Sequence, residues 1–333
     1  MKIRYPKYYD NFTCIAARCP DSCCKEWSVD VDAASAAFYR NLSGPLGDQL
    51  RQVLQDTDSG TIMTIENNRC PMWQQDGLCR IQAELGHDAL CQVCQIFPRL
   101  RHDYGDFVEL DLELSCPEAA RLILTSADQD WITYEQPKTE PAGYDTWAMD
   151  ILLRSRSEFF KFLDATDLSV PQILTVLLLY AHHVQEELDG GISAVLSPNT
   201  FLSDAARFTH SVKVQALPDF FLNLEILTPH WEGRLKSPRH SPQWNSQYKT
   251  LLKYFLRRYW LQAVSDYDIL CRAKFSISAC LLIGYLGGDL IETAQLFSKE
   301  IENDPENMDA ILDGAYTASA LTDIYLFSLL AQS

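Results

Sequence analysis

The first third of the chain alternates short strand-like runs with short helices, and the remainder repeats apolar residues at helical spacing. Residues 28–32 (SVDVD) alternate apolar and polar positions as a strand does, and Asp32 is placed to cap a helix through AASAAFYRNL. Gly44 and Pro45 end that helix, and LGDQLRQVLQD opens another. TIMTIE (61–66) reads as a strand leading into Cys70. The clearest strand pattern is FVELDLEL (107–114), with Val108, Leu110, Leu112 and Leu114 facing one way and Glu109, Asp111 and Glu113 the other. Turn residues at 103–106 predict a hairpin between it and 98–103. Ser115 is then placed as a helix cap, with Pro117 in the first turn.

Pro137, Pro141 and Gly143 mark 136–145 as a linker. It divides a cysteine-rich lobe, 1–135, from a helical domain, 146–333. Helices are predicted over 145–164, 168–188, 247–264, 266–286, 288–303 and 306–330. The expected fold class is mainly α: a small cysteine-rich α+β lobe with short antiparallel strands, and an irregular all-helical lobe. The apolar runs at 173–181 and 277–288 fall short of the ~20 residues that span a bilayer. Both read as buried helices, so no transmembrane segment is expected. Residues 228–247 (TPHWEGRLKSPRHSPQWNSQ) stand apart, with three basic residues against the single carboxylate Glu232. They are expected to form an irregular connection, either a surface loop or a lid over substrate or cofactor.

Charge narrows the partners. With 45 acidic residues against 28 basic ones, the net charge is −17, which disfavours nonspecific binding to nucleic acid or anionic lipid. Over residues 286–333, nine carboxylates stand against one lysine, Lys299. The opening MKIRYPKYYDNF lacks the apolar core of a secretory signal. Eleven cysteines, an odd number with one adjacent pair, argue against a disulfide framework and for a reducing cytoplasm.

Nine of those cysteines lie between Cys14 and Cys116, in three segments. The first is FTCIAARCPDSCCKEW, with Cys14, Cys19, Cys23 and Cys24. The second is CPMWQQDGLCRIQAELGHDALCQVCQIFPR, with Cys70, Cys79, Cys91 and Cys94. The third holds Cys116. A bound metal or an iron–sulfur cluster accounts for thiolates gathered from separate segments. The spacing C-x4-C-x3-C-C is not a zinc ribbon, and Glu26 stands where a C-x3-C-x2-C motif would need its third cysteine. Cys91 and Cys94 lack a thioredoxin-like βαβ setting. Cys19, Cys70 and Cys116 each precede proline, which favours a cluster over zinc. Cys271 and Cys280, within helical stretches, read as buried apolar residues.

These segments resemble the bacterial flagellin lysine-N-methylases. The likeness is carried by the opening MKIRYPKYYDNFTCIAARCPDSCCKEWSVDVD, by the C-P, G-L-C-x-I-Q, E-L-G and C-x-x-F-P-R features of the second segment, and by LELSCPEAARLIL. It is dense over 1–127, and a weaker kinship joins the same cysteine pattern to small zinc- or iron-chelating domains. The resemblance implies methyl transfer from S-adenosylmethionine to lysine side chains of flagellin, with a 4Fe–4S cluster held by the cysteines. Its matching positions are Cys14, Cys19, Cys23, Cys24, Cys70, Cys79, Cys94 and Cys116, whereas Cys91 is additional. Of these, Cys19, Cys23, Cys79 and Cys94 are the expected core ligands and the other four the reserve.

No glycine-rich turn follows a strand, and Gly287-Gly288 lies between helices, so a Rossmann-type donor site is not expected. Candidates for a base near the cysteine elements are Tyr104, Glu109, Asp111, Glu113 and Glu118, each balanced by an ordinary solvated or capping role; His87 and His102 are surface groups or minor metal ligands. Two other readings compete: a zinc-stabilised protein-binding module, and an iron–sulfur electron-transfer or carrier protein.

Overall fold

Two small sheets organise the first third of the computed structural model, which describes residues 1–127, 129–137, 141–191, 196–205, 212–238 and 241–333. The strands are β1 (Lys2–Pro6), β2 (Val29–Val31), β3 (Leu54–Thr57), β4 (Gly60–Met63), β5 (Arg99–Asp103), β6 (Phe107–Leu112) and β7 (Trp131–Glu135). Three of them form an antiparallel sheet in the order β2-β4-β3, and the other four a sheet in the order β5-β6-β1-β7. The expected hairpin of β5 and β6 is present, with Arg99 opposite Leu112. β1 and β7, for which the pattern predicts nothing, complete that sheet: β1 runs parallel to β6 and antiparallel to β7.

The helices of this part are α1 (Ala33–Asn41), α2 (Pro45–Val53), α3 (Arg80–Leu85), α4 (Gln92–Ile96) and α5 (Pro117–Thr125). Asp32 caps α1 as expected, accepting the Ser35 amide at 3.0 Å. α2 stops at Val53, because Leu54–Thr57 turns into a strand against β4. The helical reading of LGDQLRQVLQD therefore runs three residues too far. The cap of α5 is Cys116, not Ser115; its backbone is extended while Pro117 enters the helix.

From residue 146 the described chain is helical: α6 (Thr146–Ala165), α7 (Val170–Leu188), α8 (Leu202–Ala205), α9 (Ala216–Leu222), α10 (Pro229–Leu235), α11 (Gln247–Tyr259), α12 (Ile269–Leu286), α13 (Leu290–Phe297), α14 (Pro305–Thr317) and α15 (Asp323–Ala331). The mainly α class is what the pattern predicted. The helix predicted over 306–330 is interrupted between α14 and α15, where Ala318 is extended. α12 has the length and apolarity to cross a membrane, yet every one of its residues is buried inside the protein, as befits a helix apolar on all sides.

The expected irregular connection at 228–247 is partly helix. Thr228 caps α10 by accepting the Trp231 amide at 3.2 Å, and Trp231 and Leu235 are fully buried. Further along, the Trp244 ring packs on Gly284 so closely that a Cβ there would stand 2.7 Å from it. Residues 138–140 of the linker and 239–240 of this connection lie outside the described residues.

Apolar side chains gather in two cores. The smaller joins Val29, Tyr39, Leu50, Met63, Met72 and Ile81 with Cys70 and Cys91. The larger unites α5 to α7 and α9 to α15 with Tyr8, Phe12, Phe107, Leu112 and Leu114 from the four-stranded sheet and its approach. The cysteine segments therefore lie beside both cores.

Candidate functional site

Residues 24–26 and 68–70 pair as a miniature antiparallel ladder. Cys70 donates its amide to the Cys24 carbonyl at 2.8 Å, and Glu26 donates to Asn68 at 3.1 Å. The turn that aims this ladder joins Glu66 to Arg69 through Asn67 and Asn68 at φ 51° and 59°, a left-handed region that asparagine tolerates better than most residues. The result sets the Cys24 thiol beside those of Cys23 and Cys70. Cys79 caps α3 and Cys91 caps α4. Cys94 lies three residues beyond Cys91, on the same helical face, and their thiols are close neighbours.

Thiol electrostatics link all three segments. Hydrogen bonding with Cys24, then burial, pushes the Cys23 thiol up. For Cys24 the bond with Cys23 works downward, but the bond to Cys70, burial and the nearby Cys79 prevail and push it up to about 12. Cys91 is drawn down by the neighbouring Cys94 thiol, and Cys94 is pushed up by that neighbour, by burial, and by the proximity of Cys24 and Cys23. Cys79 is raised chiefly by burial, with Cys23 and Cys91 contributing. Burial also pushes Cys116 up to about 12, helped by Cys19 and Cys14, and Cys19 in turn senses Cys14 and Cys23. Several thiolates crowded this way repel one another unless a cation or protons intervene. All eleven cysteines are free thiols. Among the described residues, no three His, Cys, Asp or Glu side chains stand in a geometry that would hold a metal ion.

The eight cysteines singled out from the sequence therefore share one electrostatic neighbourhood, which also includes Cys91, buried against the smaller core. Cys271 and Cys280 are buried in α12, as expected of apolar residues. Burial alone raises Cys280.

The β6 carboxylates are not a solvated face. Glu109, Asp111 and Glu113 are all buried against arginines of α6 and α11. Arg156 Nη1 donates to Glu109 Oε2 at 2.9 Å, and Arg4 pairs with the same carboxylate. Burial works to raise Glu109, but Arg156 and Arg4 outweigh it and hold the group below its ordinary value. Asp111 accepts Arg257 Nε at 2.9 Å and the Tyr8 hydroxyl, which itself accepts Arg257 Nη2 at 2.7 Å. Glu113 lies 3.8 Å from Arg258, and burial raises it. Beyond Arg258, Glu302 accepts the Tyr259 hydroxyl at 2.7 Å. His102 is half-buried beside this seam and lowered by desolvation, then by Arg258. Tyr104 stacks on Phe107 at 4.8 Å, whereas Glu118 pairs with Arg121 at the surface and His87 is exposed. The arginines went unnoticed from sequence; their signal is Arg257-Arg258 within the otherwise apolar and aromatic stretch YFLRRYW.

Fold and cysteine placement together describe a mainly helical protein whose cysteine segments lie beside its two cores. Among curated proteins, the chain is 32% identical over 136 residues to the flagellar biosynthetic protein FliU of Salmonella muenchen, a match covering 37% of this chain and 77% of that protein. Lysine-N-methylases of Salmonella choleraesuis and Salmonella typhimurium show the same identity over the same length. The chain belongs to this family of flagellar FliU proteins and lysine-N-methylases. The matched region is 32% of the length of each of those two lysine-N-methylases. No family model and no solved structure matches the chain.

Proposed function

We propose that this protein methylates lysine side chains of flagellin, using S-adenosylmethionine as donor and a 4Fe–4S cluster held by the cysteine segments. The observation that carries the reading is the match to proteins named lysine-N-methylase, in a chain whose cysteines of 14–24, 70–94 and 116 neighbour one another. The donor set suits the group, since iron–sulfur clusters are held by cysteine thiolates. Its four ligands would be Cys19, Cys23, Cys79 and Cys94, with Cys14, Cys24, Cys70 and Cys116 as the reserve. A bound cluster supplies a one-electron centre and Lewis-acidic iron.

The transfer joins the lysine Nζ to the sulfonium methyl carbon, breaks the carbon–sulfur bond, and releases a proton from nitrogen. A free lysine has a pKa near ~10.4, so only about one in 2,500 is neutral at pH 7. The protein must therefore desolvate the amine or take its proton. Reduced thiols of this kind persist in the cytoplasm, where we place the reaction.

Anaerobic purification followed by iron, sulfide and zinc analysis tests the centre, and mass spectrometry of flagellin incubated with protein and S-adenosylmethionine tests the reaction. Iron and sulfide in the protein with methyl-lysine in flagellin are expected. Methylation by metal-free protein overturns the role of the cluster. A colourless zinc protein without activity returns the chain to the zinc-stabilised binding modules, and an iron-loaded, inactive one to the electron carriers.

A further inference from the structure

The loop carrying Cys19, Cys23 and Cys24 meets the helical body at one buried cation. Lys299 lies on a π-helical turn, Ser298–Glu302, that continues α13, and its side chain is 2% exposed. Its Nζ stands 2.8 Å from Asp21 Oδ2 and 2.6 Å from Glu26 Oε2, with the Trp27 ring centroid at 5.1 Å. Four residues earlier, Gln295 joins the same Asp21 oxygen, at 3.2 Å, to the carbonyl of Ser115, at 2.8 Å. Asp21 lies midway between Cys19 and Cys23, Glu26 lies two residues past Cys24, and Ser115 precedes Cys116. Glu26 holds φ at 73°, a conformation that glutamate adopts only when its surroundings impose it.

The turn itself is anchored. Glu300 accepts the Leu227 amide at 2.8 Å, and Glu302 accepts the Tyr259 hydroxyl at 2.7 Å. Lys299 thus projects from a braced element toward a loop with little regular structure. It is the one basic residue in a stretch of nine carboxylates, yet it points inward. An ammonium buried there without its two carboxylates would be costly, whereas Asp21 also pairs with Lys25 at 3.1 Å.

We propose that Lys299 is the positioning residue of the thiol centre: through Asp21 and Glu26 it sets the 19–24 thiols against those of Cys70, Cys79, Cys94 and Cys116. The consequence for iron uptake rests on the cluster reading above, whereas the pin itself does not.

Hydrogen exchange on the metal-free protein tests the pin, and iron and sulfide content after anaerobic reconstitution, with the visible spectrum, tests its consequence. Lys299→Met is expected to speed amide exchange across 14–27 by about tenfold or more, leaving β6 and α12 as in the wild type. Lys299→Arg, which keeps the charge, is expected to restore both protection and iron content. The double variant Asp21→Asn/Glu26→Gln removes the contact from the loop side, which keeps the test valid where a core substitution fails to fold. Adding Lys299→Met to it should bring no further loss, because the same contact is already gone. Wild-type exchange at 14–27 in both Lys299→Met and the double variant overturns the proposal, as does a rise spread evenly over the molecule. Equal damage from Lys299→Arg and Lys299→Met also overturns it. Loop protection that follows Lys299 in a protein unable to take up iron upholds the pin and refutes the cluster.

Discussion

Asp323 shows how one side chain sets a pH limit. It lies 2.7 Å from His182 Nε2 and 2.7 Å from Lys274 Nζ. Burial pulls its pKa upward, but the bonds from His182 and Lys274 prevail and hold it down to about 2. A folded-state value below the unfolded one gives stabilisation that is complete above ~pH 5 and lost as pH falls through about 2. With a third of the side chain in solvent, the contribution is about 1 kcal/mol, below the full linkage value. Urea titrations of Asp323→Asn should therefore show that deficit in full at pH 6 and most of it gone at pH 2. The cysteines divide at the same scale. Cys23, one of the four proposed ligands, should lower iron and sulfide per chain when changed to alanine. Cys280, buried among apolar side chains of α12, should leave that content unchanged when changed likewise.

At the scale of elements, β6 separates what the pattern contains from what only packing supplies. Its strand character, its hairpin with β5 and the helix after it follow from alternation and turn residues. The destination of its polar face does not, since alternation states that two faces differ, and never that one of them is wet. Arg156, Arg257 and Arg258, distant in the chain, cover Glu109 and Asp111 and turn the supposed outer face inward. The thiol centre was similarly half legible. Spacing and resemblance marked the cysteines, but the ladder that joins Cys24 to Cys70 depends on two left-handed asparagines with no advance signature. Glu109→Gln leaves Arg156 and Arg4 with a neutral partner in a dry site, and should cost about 3 to 5 kcal/mol in chemical denaturation. The connection at 241–247 has its own test. Gly284→Ala, whose Cβ would meet the Trp244 ring, should displace that tryptophan and change intrinsic fluorescence, with α12 helicity retained.

Across the whole molecule, the two cores differ in resources. The smaller has few large side chains, and two of its members, Cys70 and Cys91, are thiols. A metal bound by its cysteines would contribute directly to its folding free energy. Calorimetry of the iron-loaded protein should therefore lose or lower one transition on chelation, with the unfolding of the larger core displaced far less. The four-stranded sheet has a different consequence, in the order of synthesis. β1 pairs with β6 on one side and β7 on the other, Lys2 lying opposite both Phe107 and Glu135. β1 therefore leaves the ribosome about a hundred residues ahead of either neighbour, and such distant pairings form slowly. Throughout that interval the nascent chain carries its crowded thiols and an unmated strand together. Any factor that shields the emerging segment, or delivers metal to it, has to act before β7 is made and leave before β1 closes the sheet.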